Sequence, residues 1–385
     1  MRSISDTIAR LSALRGAAAD GGIPGKSRLT ELLHFGSNPG ALRAHVYIPP
    51  SIAENPALVV VMHGCTQTAA GYDIGSGWSQ MADRHGFVVL FPEQQMQNNP
   101  NVCFNWFAKG DTRRDGGEAL SIRQMIETVS ASHDIDRSRI FATGLSAGGA
   151  MTAVMLATYP EVFAGGAVIG GLPYGCADTV PQALDRMRGH KIPGPSELEA
   201  VVRSASAQRT SWPTLSIWHG SADATVAPAN ATALLRQWAA LHGVGAAPDS
   251  RETIDGHFRD VWHDPQGREV MENFRIAGLG HGTPVKTSGT DSCGQTGAFI
   301  LEAGISSTFH ICRFWGLISR DQTSPQPGPV ESEEPARMLV VAEPAIEESR
   351  LFRIPDETAK PVFPSSAGDV RKVIEDALRS AGLMR

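Results

Sequence analysis

The chain has 385 residues, 42% of them hydrophobic and 19% charged, with a formal net charge of -6. That balance suits a globular protein with a large core and offers no dense Lys/Arg block to nucleic acid. No apolar run approaches the roughly 20 residues of a membrane helix, so neither nucleic acid nor a bilayer is an expected partner.

Ile4, Ile8, Leu11 and Leu14 fall at helical spacing, so residues 1–29 read as an N-terminal amphipathic segment. Ser5, Asp6, Thr7 and Arg10 deny this stretch the apolar centre of a secretory signal, which points to the cytoplasm. The five cysteines, Cys65, Cys103, Cys176, Cys293 and Cys312, are scattered and lack metal-ligand spacing. They read as buried thiols in a reducing compartment, with one bridged pair left open.

A catalytic body is expected over residues 30–320. Leu42 to Ile48 alternates and ends at Pro49-Pro50, as an antiparallel edge strand would. Ala57 to Met62 is a short valine-rich run suited to a central strand, and it enters His63-Gly64-Cys65-Thr66-Gln67. Trp78 to His85 reads as a helix and Phe87 to Phe91 as a strand. A loop from Glu93 to about Asp115 carries Cys103-Phe104-Asn105-Trp106-Phe107, and Gly117 to Asp134 is helical with Ile122, Met125, Ile126 and Val129 on one face.

Next come an apolar strand at Ile140 to Ala142, the turn Gly144-Leu145-Ser146-Ala147-Gly148, and a helix running to Thr158 before Pro160. A Gly-x-Ser-x-Gly turn between strand and helix lifts its serine above the sheet edge and needs small neighbours. Phe163 to Ile169 is a strand. Gly170 to Ser211 reads as a helical insertion over the site. Leu215 to Trp218 is a strand leading into His219-Gly220-Ser221-Ala222-Asp223, and Ala229 to His242 is a helix. Phe258 to His263 and Val270 to Ile276 pair through the turn Asp264-Pro265-Gln266-Gly267, and the second delivers Gly280-His281-Gly282. Ser306 to Leu317 is the last helix of the body. Residues 321–385 form a proline-rich, acidic extension ending in an amphipathic stretch at Val370 to Leu378, which would dock on the body or mediate self-association.

Strands alternating with helices give an α/β fold, a mostly parallel doubly wound sheet with helices on both faces. Ser146, Asp223 and His281 follow strand ends in the order nucleophile, acid, histidine, which is that of an α/β-hydrolase. A serine hydroxyl needs a base in reach, so His281 takes its proton and Asp223 fixes the imidazole. Asp255, Asp260 and Asp264 are the rival acids. The tetrahedral intermediate needs two backbone donors, assigned to the N–H groups of Cys65 and Ala147. Trp106 either lines an acyl pocket or buries itself under its loop. His63 and His219 each follow a strand and precede glycine; they read as supporting their loops, and His63 also as a substrate contact. This chemistry calls for no metal or cofactor.

The motifs at His63–Gln67, Cys103–Phe107, Gly144–Gly149, His219–Asp223 and Gly280–Gly282, with Ile305–His310 and Phe314–Leu317, give a chain that resembles esterases related to poly(3-hydroxybutyrate) depolymerases, a family that also holds feruloyl and acetylxylan esterases. The resemblance covers about residues 30–318. It implies a serine carboxylesterase acting on polyester or short-chain acyl esters, with Ser146, Asp223 and His281 as triad and Cys65 as oxyanion donor. The resembled family is largely extracellular, unlike the location that the N-terminal residues suggest. Its rivals are a feruloyl or acetylxylan esterase, a peptidase, and a binding protein on an inactive hydrolase scaffold.

Overall fold

The structure, a computed structural model, describes residues 27–206 and 211–318. The amphipathic stretch at Ile4 to Leu14 and the one at Val370 to Leu378 lie outside the described residues. Ten strands form one sheet: β1 (Thr30–Glu31), β2 (Arg43–Tyr47), β3 (Leu58–Met62), β4 (Val88–Glu93), β5 (Ile140–Leu145), β6 (Gly165–Ile169), β7 (Thr214–Gly220), β8 (Ser250–Ile254), β9 (His257–His263) and β10 (Glu269–Ile276). Their spatial order is β1-β2-β4-β3-β5-β6-β7-β10-β9-β8. The six strands from β4 to β10 in that order are parallel to one another. β1, β2, β9 and β8 run antiparallel to their neighbours. β11 (Thr283–Val285) and β12 (Ile300–Glu302) make a separate parallel pair. The fold is the expected α/β-hydrolase type with helices on both faces of a mostly parallel sheet.

The central strands are apolar throughout because both faces are covered. Leu58, Val60 and Met62 of β3 enter one core, while Val59 and Val61 enter the other. That division follows from the two-residue period of a strand. The helices Gly117–Ser132, Ala147–Thr158 and Ala229–His242 cover the first face, with Ile122, Met151 and Leu234 in its core. The helices Trp78–His85 and Ser307–Phe314 cover the other; there Trp315 stacks on Phe141 at 4.7 Å and on Trp78 at 5.9 Å. A third, smaller cluster sits above the sheet edge. It joins Trp106, Ala147 and Ala150 to Leu172, Ala183 and Leu198 of the insertion, whose helices are Val180–Met187 and Pro195–Ala205.

Two expectations change. β2 is antiparallel but not the edge, since the two-residue β1 pairs outside it. At the other end β8 extends the sheet with exposed polar residues, Ser250-Arg251-Glu252-Thr253, which carry no apolar alternation to announce a strand. Among the described residues, no helix is long and apolar enough to cross a membrane.

Candidate active site

β5 ends at Leu145 and the next helix begins at Ala147, so Ser146 alone makes the turn. Its backbone takes φ 56° and ψ -115°. A side-chain-bearing residue rarely holds this conformation, and the cost is carried by the packing around it. Ser146 N–H donates to the Ile169 carbonyl at 2.8 Å, and Ala150 N–H donates to the Ser146 carbonyl at 2.8 Å. A Cβ on Gly144 would stand 2.4 Å from the Gly148 carbonyl carbon. The flanking glycines therefore let strand, helix and the β3 end approach one another.

The acid and the histidine arrive on two loops tied together by backbone. After β7, Ser221 N–H donates to the Ile276 carbonyl and Ala222 N–H to the Leu279 carbonyl, each at 2.9 Å. Gly220 lies where a Cβ would meet the Leu279 carbonyl oxygen at 2.3 Å. His281 Nδ1 consequently reaches Asp223 Oδ2 at 2.7 Å. The other carboxylate oxygen accepts N–H bonds from Thr225 at 2.9 Å and Val226 at 2.8 Å. His219 Nε2 donates to the Val226 carbonyl at 2.8 Å and stands 3.4 Å from Asp223 Oδ2. Burial alone would push the Asp223 carboxyl up, but its hydrogen bonds with His219 and His281 outweigh it and hold the group well below the usual range.

The imidazole lies beside the serine turn. A Cβ on Gly170, the residue after Ile169, would meet His281 Cε1 at 3.3 Å. Phe299 stands edge-on to the same ring at 6.2 Å. Among the described residues no hydrogen bond joins Ser146 Oγ to His281, as is common where catalytic contacts tighten only on substrate.

The two residues expected to supply oxyanion donors follow the ends of neighbouring strands. Met62 of β3 is opposite Gly144 of β5, and Cys65 and Ala147 each follow three residues later. Among the described residues, neither of these N–H groups donates to a protein acceptor. Ala147 N–H is one of the orphan donors of a helix start. Such groups favour developing negative charge.

The rival acids are engaged elsewhere. Asp260 pairs with Arg251 at 2.5 Å, Asp264 with Arg268 at 2.6 Å, and Asp255 stands 3.7 Å from both Lys286 and His310. His63 is a correction. It is 1% exposed, its Nδ1 donates to the Gly64 carbonyl at 2.7 Å, and its Nε2 accepts from Gln94 N–H at 3.1 Å. Both nitrogens serve the loop, and none remains for a substrate. Trp106 is 8% exposed and packs among Ala147, Ala150 and the insertion, so the ring underlies the site more than it lines it.

The cysteines depart from the all-thiol reading. Cys65 and Cys103 are disulfide-bonded, tying the His63–Gln67 loop to the loop that carries Trp106, while Cys176, Cys293 and Cys312 are buried and free. Sequence reasoning also missed Gln94 and Glu118, which lie buried behind these two loops. Among the described residues, no cluster of three or more His, Cys, Asp or Glu side chains is placed to hold a metal ion.

Residues 42–260 match the model of the family described as esterase PHB depolymerase. The chain is 45% identical over 292 residues to poly(3-hydroxyalkanoate) depolymerase C of Paucimonas lemoignei, a match covering 75% of this chain and 70% of that protein. It is 33% identical over 270 residues to acetylxylan esterase A of Aspergillus oryzae, covering 67% of this chain and 85% of the relative. Among solved structures, the acetyl xylan esterase from Aspergillus awamori superposes with a TM-score of 0.64 at 25% identity, over 76% of this chain and 100% of that one.

Proposed function

The chain belongs to the esterase PHB depolymerase family and is a carboxylic ester hydrolase, and we propose that it opens hydroxyalkanoate-type esters through an acyl-enzyme on Ser146. The observation that carries the reading is the 2.7 Å bond from Asp223 to His281, presented at the sheet edge where the strained Ser146 stands.

In this mechanism His281 Nδ1–H donates to Asp223, which leaves Nε2 as the base. Ser146 Oγ attacks the ester carbonyl carbon as its proton passes to Nε2. The carbonyl electron pair moves onto oxygen, where the N–H groups of Cys65 and Ala147 receive it. Collapse of the tetrahedral intermediate breaks the C–O bond, and His281 protonates the departing alcohol. Water, deprotonated by His281, then attacks the acyl-enzyme, releases the acid and restores the serine. The depressed Asp223 carboxyl stays ionised throughout and stabilises the imidazolium.

Ser146→Ala should abolish p-nitrophenyl ester turnover, and a fluorophosphonate should label Ser146 in the unaltered protein. Retained turnover in the variant would reject the assignment. A second reading, acetyl or feruloyl ester cleavage on plant carbohydrate, is favoured by the similarity to acetylxylan esterases. Comparing hydroxybutyrate oligomers with methyl ferulate and acetylated xylan decides between them, and the higher kcat/KM on the oligomers supports the first. The catalytic unit on this reading is residues 30–320, flanked by 1–29 and 321–385. The Cys65–Cys103 bridge favours an oxidising compartment over the cytoplasm.

A further inference from the structure

Behind the oxyanion loop lies a carboxylate that the reaction does not use. Glu118 is the second residue of the helix Gly117–Ser132 and is 0% exposed. Among the described residues it has no cationic partner, and its charged neighbour is another acid, Asp111. Burying a carboxylate without a cation is costly: burial pushes its pKa up, while the N–H donors of Asn105 and Gln94 pull it down and favour the ionised form. Filling space does not require that cost, since an apolar side chain or an amide of similar volume would pack as well.

What the carboxylate does is accept from two loops at once. Gln94 Nε2 donates to Glu118 Oε1 at 2.5 Å, and Asn105 N–H donates to Oε2 at 2.9 Å. Asn105 precedes Trp106. Gln94 also donates through Nε2 to the Cys103 carbonyl at 3.2 Å and through its backbone N–H to His63 Nε2 at 3.1 Å. His63 in turn holds the Gly64 carbonyl, the residue before Cys65. Two routes therefore run from one carboxylate to Cys65. One passes through Gln94, His63 and Gly64; the other passes through Cys103 and its disulfide.

We propose that Glu118 is a positioning residue for ester hydrolysis, fixing the Cys65 N–H where the developing oxyanion forms by clamping the His63–Cys65 turn to the Cys103–Trp106 loop. The proposal rests on Cys65 N–H being an oxyanion donor. A glutamine at this position offers one good acceptor and turns an NH2 group toward the second N–H, so it would hold one loop and release the other. A loop displaced by a fraction of an ångström weakens binding of the transition state and leaves the ground state almost untouched.

The test uses the full-length protein, Glu118→Gln and Glu118→Ala, with p-nitrophenyl butyrate as substrate and a boronic acid that forms a tetrahedral adduct on the serine as probe. Active sites are counted with a fluorophosphonate so that only folded enzyme enters kcat. The expected result for Glu118→Ala is a kcat lower by about 10- to 100-fold with KM changed by less than about twofold, boronate affinity falling in step, and Glu118→Gln between this and the unaltered protein. If Glu118→Ala does not fold, the isosteric Glu118→Gln decides. Unchanged kcat and boronate affinity per titrated site in Glu118→Gln would overturn the proposal, as would a loss confined to melting temperature. The Ser146→Ala control keeps the two readings apart: turnover surviving there removes the serine mechanism itself, whereas an inactive Ser146→Ala beside a fully active Glu118→Gln removes only the role of Glu118.

Discussion

Gly148 presses so closely on Met62 that a Cβ added to the glycine would stand 2.3 Å from the Met62 carbonyl oxygen. The His63 carbonyl oxygen would be 2.5 Å away. This contact fixes the start of the serine helix against the end of β3 and the first residue of the loop that leads to Cys65. Gly148→Ala has no flexible side chain to displace; the backbone at Met62 and His63 must move instead. The expected cost is about 1–3 kcal/mol of stability, with a much larger proportional loss of ester turnover. Thermal unfolding and p-nitrophenyl butyrate kinetics check this. Gly245→Ala is the control, because the nearest atom to its added Cβ is the Ala247 carbonyl oxygen at 3.8 Å.

Asp223→Asn separates the charge of the acid from its shape. The amide cannot both accept the two N–H bonds at one oxygen and present an acceptor to His281 Nδ1–H, so the imidazole loses its fixed tautomer. A kcat reduction of about 10⁴-fold is expected. Stability gives a second readout. The folded Asp223 carboxyl lies below its unfolded value of about 3.9. Its contribution is therefore complete above that value and is lost as acid carries the pH down toward the folded one. The stability gap between the unaltered protein and Asp223→Asn should hold constant from neutral pH to about pH 5 and narrow below about pH 4. A gap that widens in acid would contradict the assignment.

What was readable in the sequence, and what was not, divides along physical lines. β3 and β5 announced themselves because both their faces are buried, which leaves an unbroken apolar run. The helix Ala229–His242 was legible from the spacing of Leu234, Leu235, Trp238 and Leu241. Ser146, Asp223 and His281 could be picked out in sequence because each follows a segment read as a strand; β7 and β10 mix apolar residues with Ser216, Glu272 and Asn273. β8 was not legible, since an exposed edge strand needs no apolar residue and stands by backbone pairing with β9. The Cys65–Cys103 bridge spans a sequence separation of 38, and only the fold brings the two loops together. Glu118 was invisible for another reason: an acidic residue in the first turn of a helix ordinarily faces water and favours the helix dipole. Its burial depends on Gly40, which lies so close that a Cβ there would meet Glu118 Cα at 2.5 Å.

The cysteine arrangement predicts a definite thiol count. The three free cysteines are buried, so the native protein should react slowly with a thiol reagent. Unfolded without reductant it should expose three thiols, and with reductant five. Five thiols without reductant would contradict the bridge. Closing a loop of 38 residues restricts the unfolded chain by about 4 kcal/mol on the chain-entropy account. Cys65→Ser with Cys103→Ser should lower the melting temperature accordingly. On the proposed mechanism it should also lower kcat, since the bridge holds the loop that carries the Cys65 N–H.

The strand that leads to His281 carries a buried acid paired with an arginine. Glu272 of β10 is 1% exposed. Its Oε2 meets Arg259 Nε at 2.6 Å, and its Oε1 accepts from Ser216 Oγ at 2.6 Å. Burial raises this carboxyl despite Arg259 and Ser216, which pull it down. Arg259 also reaches Glu252 and Glu269 at 2.6 Å each, so its fork is fully used across three strands. Arg259→Met keeps much of the side-chain volume and leaves Glu272 buried without a cation, at an expected cost of about 3–5 kcal/mol. The pH dependence follows from the sign of the shift. A carboxyl whose folded pKa lies above its unfolded one contributes most when protonated, below the unfolded value, and that contribution is lost as pH rises through the folded one. Removing Arg259 raises the folded value further. The variant should therefore come nearest to the unaltered protein in mild acid and fall increasingly short toward neutral pH. Arg259→Met combined with Glu272→Gln removes the stranded charge and should recover much of the loss at neutral pH. Urea unfolding of the three proteins across pH 5 to 8 measures both effects. A double variant no more stable than Arg259→Met alone would show that packing around the arginine, and not the bare carboxylate, sets the cost.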